Sequence, residues 1–463
     1  MPRRKNEMKV NQPVWLSVTA LTEAQLDILH RASLKILSQV GVNVHSRELC
    51  TMLDSAGAKV EQPLRAYIPE SLVERALGTA PSRIGIYDRS GGEVMDLSGT
   101  NCYFGTGSDL EYTIDSETQL RRESRIEDVA LSARLCDRLD NIDFVMSYAL
   151  PKDVPDTDCE VEQFRALLAN TRKPAIMTQF SGVGTARRMH DLALEYCGGE
   201  AVFRQAPNYI LYGQFVSPLQ HDAGALERLV FCADHSIPLI YVPTIMMGAS
   251  GPVTLAGALA LANAECLAGL VMHQLRAPGA PFIYGGCVSP LDMKTTVFSY
   301  NSPIWRIADV ALSQLSRRYD LPVFGTAGAT DAKTVDAQAG SEWSYSLMID
   351  ALAGVNLIHD VGYMDSGLTG SLEALVVCDE IIGIVKRITS GFRIDGESLA
   401  LDTIGKVGPA GHFMEEDHTL EHFRRDIWYP SLFERVRYDS WKEAGCRDVL
   451  HRAKDRVQEL LSR

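Results

Sequence analysis

Between positions 330 and 367 the chain reads TDAKTVDAQAGSEWSYSLMIDALAGVNLIHDVGYMDSG, its densest run of groups able to do chemistry. Asp331, Lys333, Gln338 and Glu342 cluster after one short apolar run, and His359, Asp360 and Tyr363 follow the next. Two neighbouring strand ends thus carry more polar groups than a chain reversal needs. His359 closes an apolar strand and is the best single candidate to touch a substrate's polar end. A neutral imidazole donates one hydrogen bond, and a protonated one adds charge. The structural alternative is a histidine satisfied by Asp360 or by backbone. Aromatic side chains recur at the same kind of place: Tyr103, Phe104 and Tyr112 near the first candidate strand, Phe215 beside Tyr212 at the fourth, Tyr284 at the sixth, Tyr363 at the eighth. Converging rings would cage a quaternary ammonium, whose positive methyls favour π faces. Each ring alone could equally pack within the fold.

Other chemistries find less support. His418 and His422 stand four apart with His412 upstream, but Glu421 sits beside His422 and no thiol lies near, so no metal site is expected. The ten cysteines include no CxxC pair. No GxSxG elbow stands between a strand and a helix. SGVGTARR at 181–188 reads as a glycine-assisted helix start before it reads as an anion cradle. Lys333 or a carboxylate pair could serve a lyase or aldolase acting on a small acid.

These residues need elements to hold them. Eight candidate strands begin near Cys102, Phe144, Ala175, Tyr209, Leu239, Phe282, Val323 and Asn356. Helical patterns separate them at 126–139, 157–170, 184–196, 222–235, 254–275, 303–319 and 337–352. Strand and helix alternating at this spacing predict parallel pairing through crossovers, and eight repeats predict a closed (β/α)8 TIM barrel. An open doubly wound sheet lacks its GxGxxG fingerprint. The α/β barrel is expected over 101–388, after a helical N-terminal region at 1–100 and before a C-terminal helical extension at 389–463. Loops such as GTGSD, PTIMMGASGP and GGCVSP would then share the barrel's C-terminal mouth, where glycine permits close approach to a large flat partner.

Composition narrows the classes. The net charge of -14 disfavours nucleic acid, which rewards basic clusters. The basic stretch MPRRKNEMKV lacks the apolar core of a secretory signal, no segment reads as membrane-spanning, and unpaired thiols fit a cytoplasmic protein.

These stretches, together with VGPAGHF at 407–413 and HTLEHFRRDIWYPSLFERVRYDSWKEAG at 418–445, resemble the trimethylamine methyltransferase family over nearly the whole chain. The resemblance implies a TIM barrel that moves a methyl group from a methylated amine to the Co(I) of a separate corrinoid protein. The family's pyrrolysine region falls near 333–336, where this chain has only standard residues. That places it in the non-pyrrolysine branch and implies a small quaternary amine, with glycine betaine favoured, and a homo-oligomer. A quaternary ammonium leaves as a neutral tertiary amine, so no catalytic acid is expected. The expected substrate contacts are Tyr103, Phe104, Tyr112, Phe215, Tyr284, His359 and Tyr363. Gly105, Gly107, Gly248, Gly286, Asp331, Lys333, Gln338 and Glu342 would face the corrinoid. No DxHxxG cobalt-ligating motif occurs, so the cobalamin is expected on the partner protein and not permanently on this chain. A betaine-binding protein without activity is the third reading, beside the methyltransferase and the lyase.

Overall fold

A computed structural model describes residues 16–61 and 63–462, so the basic stretch at 1–10 lies outside the described residues. Short apolar runs form the strands β1 (Tyr103–Phe104), β3 (Ala175–Thr178), β4 (Tyr209–Phe215), β5 (Leu239–Met247), β6 (Phe282–Gly285), β7 (Val323–Thr326) and β8 (Leu357–His359). All pair in parallel, in the order β3-β4-β5-β6-β7-β8-β1. The ring closes through β2, a pair of bridges in which Phe144 meets Gly105 and Val145 meets Ala175. The (β/α)8 barrel is therefore present, with seven strands and the bridged segment Phe144–Val145 standing where the sequence expected eight strands. After Gly285 the chain kinks, and Cys287–Pro290 continues beside the outer half of β5.

Side chains alternate across the strands, and that parity decides what faces the axis. Ile210, Tyr212, Ile240, Val242, Ile283, Phe324 and Leu357 form one inner cluster. Tyr209, Leu211, Tyr241, Phe282, Tyr284 and Val323 belong to the separate layer between strands and helices. The seven crossover helices also stand where expected, from Ile126–Asp137 to Ala337–Ala353. Their starts are written locally. Asp222, Ser302 and Asp336 accept backbone N–H groups at three N-termini, and proline follows Ser302.

The N-terminal region differs from a purely helical one. Glu23–Lys35, Arg47–Ala56 and Glu70–Thr79 are helices, but three-residue strands at Val42–Val44, Lys59–Glu61 and Arg65–Tyr67 form a small antiparallel sheet. A hairpin, Ile84–Tyr87 with Glu93–Leu97, adds Ile84, Ile86, Met95 and Leu97 to the inner barrel cluster and so plugs its N-terminal end. Strands this short show no period-2 signal, which hid them in the sequence. Helices recur in the C-terminal stretch, and Val449–Ser462 packs back on Leu372–Thr389 and Ile126–Asp137. The helix Leu255–Arg276 is long and apolar enough to cross a membrane, yet 83% of its apolar window is buried inside the fold. Its Asn263 and Glu265 are held by Ser33, Tyr284, Tyr319, Ser217 and the Leu219 N–H. All ten cysteines are free.

Candidate active site

With the other end of the barrel plugged, a recess lies at the C-terminal ends of the strands. Strand parity supplies its floor: Thr178, Tyr212, Gln214, Thr244, Thr326 and His359 all occupy inward positions. The His359 imidazole stacks on Phe324 with centroids 4.1 Å apart, and Tyr212 lies 6.0 Å from it. His359 Nδ1 is 2.8 Å from the Gly325 carbonyl, which can only accept, so Nδ1 carries the proton. Burial lowers the imidazole pKa to about 4, leaving Nε2 as a lone pair 3.3 Å from Asp360 Oδ1. An ionised Asp360 would set two acceptors against each other there. Burial and the neighbouring Asp109 instead raise its pKa well above the ordinary carboxylate range, which favours a protonated Asp360 until a cation enters the site.

Asp109 is the second carboxyl of the recess, and unlike Asp360 it is exposed to solvent. Tyr363 Oη donates to its Oδ1 at 2.7 Å and accepts from its backbone N–H at 3.0 Å. The protein atoms crowded around it raise this pKa as well, although the side chain reaches solvent, and the tyrosine pulls the other way. Gly107 makes the arrangement possible, since a Cβ there would collide with the Asp360 carboxyl and the Tyr363 phenol.

An aromatic wall comes from the loop after β6. Phe298, Tyr300 and Trp305 all line the recess, with ring centroids 5.2–6.0 Å apart. Asp331 pins that loop by accepting from Ser299 Oγ at 2.7 Å and the Tyr300 N–H at 3.3 Å.

The residues expected from sequence distribute as follows. His359 lines the recess, and Tyr363 stands behind Asp109. Tyr103 points inward but at the plugged end, where its hydroxyl accepts the Asp96 N–H. Phe104, Phe215 and Tyr284 have outward parity. Phe104 lies beneath the Lys386 ammonium, Phe215 packs against both His221 and Tyr241, and Tyr284 donates to Asn263. Tyr112 already carries a cation, the Arg121 guanidinium 3.5 Å from its centroid. These five are away from the recess, and the rings that do converge there are Tyr212, Tyr300, Phe298, Trp305 and Phe180. Period-2 counting from each strand start would have separated Tyr212 from Phe215. No local signal marks the wall from 298 to 305.

Among the residues assigned to the mouth, Asp331 and Glu342 brace the loop after β7, Glu342 by accepting the Asp331 N–H at 2.8 Å. Lys333 is exposed, its ammonium donating to the Asp331 carbonyl, and Gln338 bonds Glu342 on the surface. Gly248 turns the chain after β5 at φ +91°, Gly286 follows the kink in β6, and Gly105 lies against the Phe144 ring. Neither Lys nor Arg lines the recess. His422 is engaged by Glu397, Arg425 and Asp426. Among the described residues one group has metal-like spacing, His190, Glu200 and His235, but Arg204 already neutralises Glu200 from 2.8 Å.

Comparison with known proteins adds the family. The family model described as trimethylamine methyltransferase (MTTB) matches residues 3–463. The glycine betaine methyltransferase of Desulfitobacterium hafniense strain Y51 is 31% identical, over 96% of this chain and 92% of its own. A trimethylamine methyltransferase MttB of Methanosarcina thermophila is 31% identical, over 96% and 93%. Among solved structures, the monomethylamine methyltransferase MtmB of Methanosarcina barkeri superposes with a TM-score of 0.55 at 10% identity, over 96% of this chain and 88% of that one.

Proposed function

The chain belongs to the trimethylamine methyltransferase family, and from that premise we propose that it moves a methyl group from a small quaternary amine to a corrinoid protein. The observation that carries this reading is the recess itself: aromatic walls and two carboxyls, Asp109 and Asp360, together at the barrel mouth. Tyr212 and Tyr300 offer rings to a cation, and a bound cation would favour the ionised forms of the Asp109 and Asp360 carboxyls. Demethylation breaks a C–N bond with both electrons staying on nitrogen, so the amine leaves neutral and no general acid is needed. The chain's task is then to orient the ammonium and to keep water out.

The corrinoid would supply a Co(I) centre as methyl acceptor. The rim suits a large flat partner, because Phe180, Val216, Val253 and Met293, from four different loops, are each more than half exposed. Glycine betaine, favoured by the sequence, matches the name of one relative. Its carboxylate would have to be held by neutral donors such as Thr326 and Tyr212. Lys333, the group a Schiff-base lyase would need, stands outside the recess and 68% exposed.

The test is to incubate the protein with a panel of quaternary amines and free cob(I)alamin and follow methylcobalamin spectroscopically. Methyl transfer from at least one is expected. No transfer from any, or borohydride trapping of a substrate on Lys333, would overturn the proposal.

A further inference from the structure

We infer that the recess takes a quaternary ammonium with a neutral arm, one carrying no carboxylate of its own, in preference to a betaine. The inference rests on the methyltransferase reading and departs from glycine betaine only in the charge of the arm.

Three observations carry it. Asp109 and Asp360 both line the recess, and no Lys or Arg side chain does. The nearby guanidinium, Arg306, is buried and already shared between Asp309 and Asp350, each at 3.2 Å. His359 cannot stand in as an anion anchor, because its one N–H is given to Gly325 and its other nitrogen faces Asp360.

A betaine carries its carboxylate one methylene from nitrogen, so the anion cannot sit far from the carboxyls that attract the ammonium. It would compete with Asp109 and Asp360 for the single cation, and no cationic side chain lines the recess to offset the excess negative charge. An arm ending in a hydroxyl meets no such opposition, and Thr326, Gln214 and Thr244 can exchange hydrogen bonds with it. A cation without an anionic arm balances the ionisation of one of the two aspartates, whereas a zwitterion brings no net charge to do so. The ligand chemistry is therefore a trimethylammonium head on a short neutral polar arm.

Choline and glycine betaine share the head and differ in this one group. Calorimetry on the full chain should find choline bound at least ten-fold more tightly than glycine betaine. In Asp360→Asn and Asp109→Asn that ratio should shrink, with choline weakened and glycine betaine unchanged or improved. Methyl transfer from each to free cob(I)alamin is measured in parallel. Equal or tighter binding of glycine betaine, with its methyl transferred, would sink this inference and leave the methyltransferase reading standing. An unchanged ratio in both folded variants would also sink it. Absence of methylcobalamin from every quaternary amine would remove the broader reading and this one together.

Discussion

Tyr212 and His359 face each other over the floor of the recess, and neither acts through a free charge. Binding at this scale comes from ring faces and from two aspartates. Tyr212→Ala and Tyr300→Ala should each weaken a quaternary ammonium by about 0.5–2 kcal/mol beyond lost packing. Phe215→Ala should leave affinity unchanged and reduce stability by about 3–5 kcal/mol, since its buried ring packs against both His221 and Tyr241. Calorimetry and thermal melts on the three variants separate these outcomes, and an affinity loss confined to Phe215→Ala would reverse the assignment.

Proton linkage gives a second expectation. Asp360 has a folded pKa raised above its unfolded value, so its contribution to stability is full below the ordinary aspartate range and is lost as pH rises through the raised value. A bound cation favours the ionised form, so ammonium affinity should rise with pH over the same range. The groups facing Asp360 are Asp109, His359, Tyr212, Tyr300, Cys287, Tyr363 and Arg306. Asp360→Asn, tolerated at φ +72°, should flatten that pH profile and raise the melting temperature of the ligand-free protein at neutral pH. Each pKa unit relieved corresponds to about 1.4 kcal/mol. A steep profile retained in the variant would assign the titration to another group.

Among elements, the helix Pro303–Tyr319 links the aromatic wall to the barrel. Trp305 at its start lines the recess, and the next residue, Arg306, reaches back between Asp309 and Asp350. All three side chains of that ion cluster are nearly inaccessible, and Asp309 is driven strongly toward its protonated form by burial and by Asp350. Removing the cation would leave two buried carboxyls facing each other. Arg306→Ala should therefore lose about 3–5 kcal/mol, measured by urea denaturation, and Asp309→Asn much less. Equal losses in the two would mean that packing, not charge, sets the cost.

The whole molecule leaves one surface unexplained by the barrel. In the C-terminal stretch Leu401, Met414, Leu420 and Tyr438 are each more than 60% exposed, with Phe413 also open. Exposed apolar side chains of this kind are what a subunit interface buries. We propose that the homo-oligomer expected from the sequence buries them. Light scattering should show an oligomer that Leu420→Asp with Met414→Ser reduces in mass. A monomeric wild type at micromolar concentration would exclude this.

Sequence periodicity alone determined the barrel, because eight apolar runs spaced by crossover helices have few other ways to bury both faces. It also held the parity that sends Tyr212, Thr326 and His359 to the axis and Phe104, Phe215 and Tyr284 to the helices, since alternation is a local property of a strand. Depth along the axis was not legible: Tyr103 shares the inward parity yet ends at the plugged pole, because a hairpin 84–97, too short to show a period, closes it. Tertiary structure likewise decided that Asp109 and Asp360, some 250 positions apart, share one recess, and that a loop without local signal brings Tyr300 and Phe298 to its wall. Such encounters depend on ring closure and on the missing Cβ of Gly107, contacts between distant segments that no window of sequence contains.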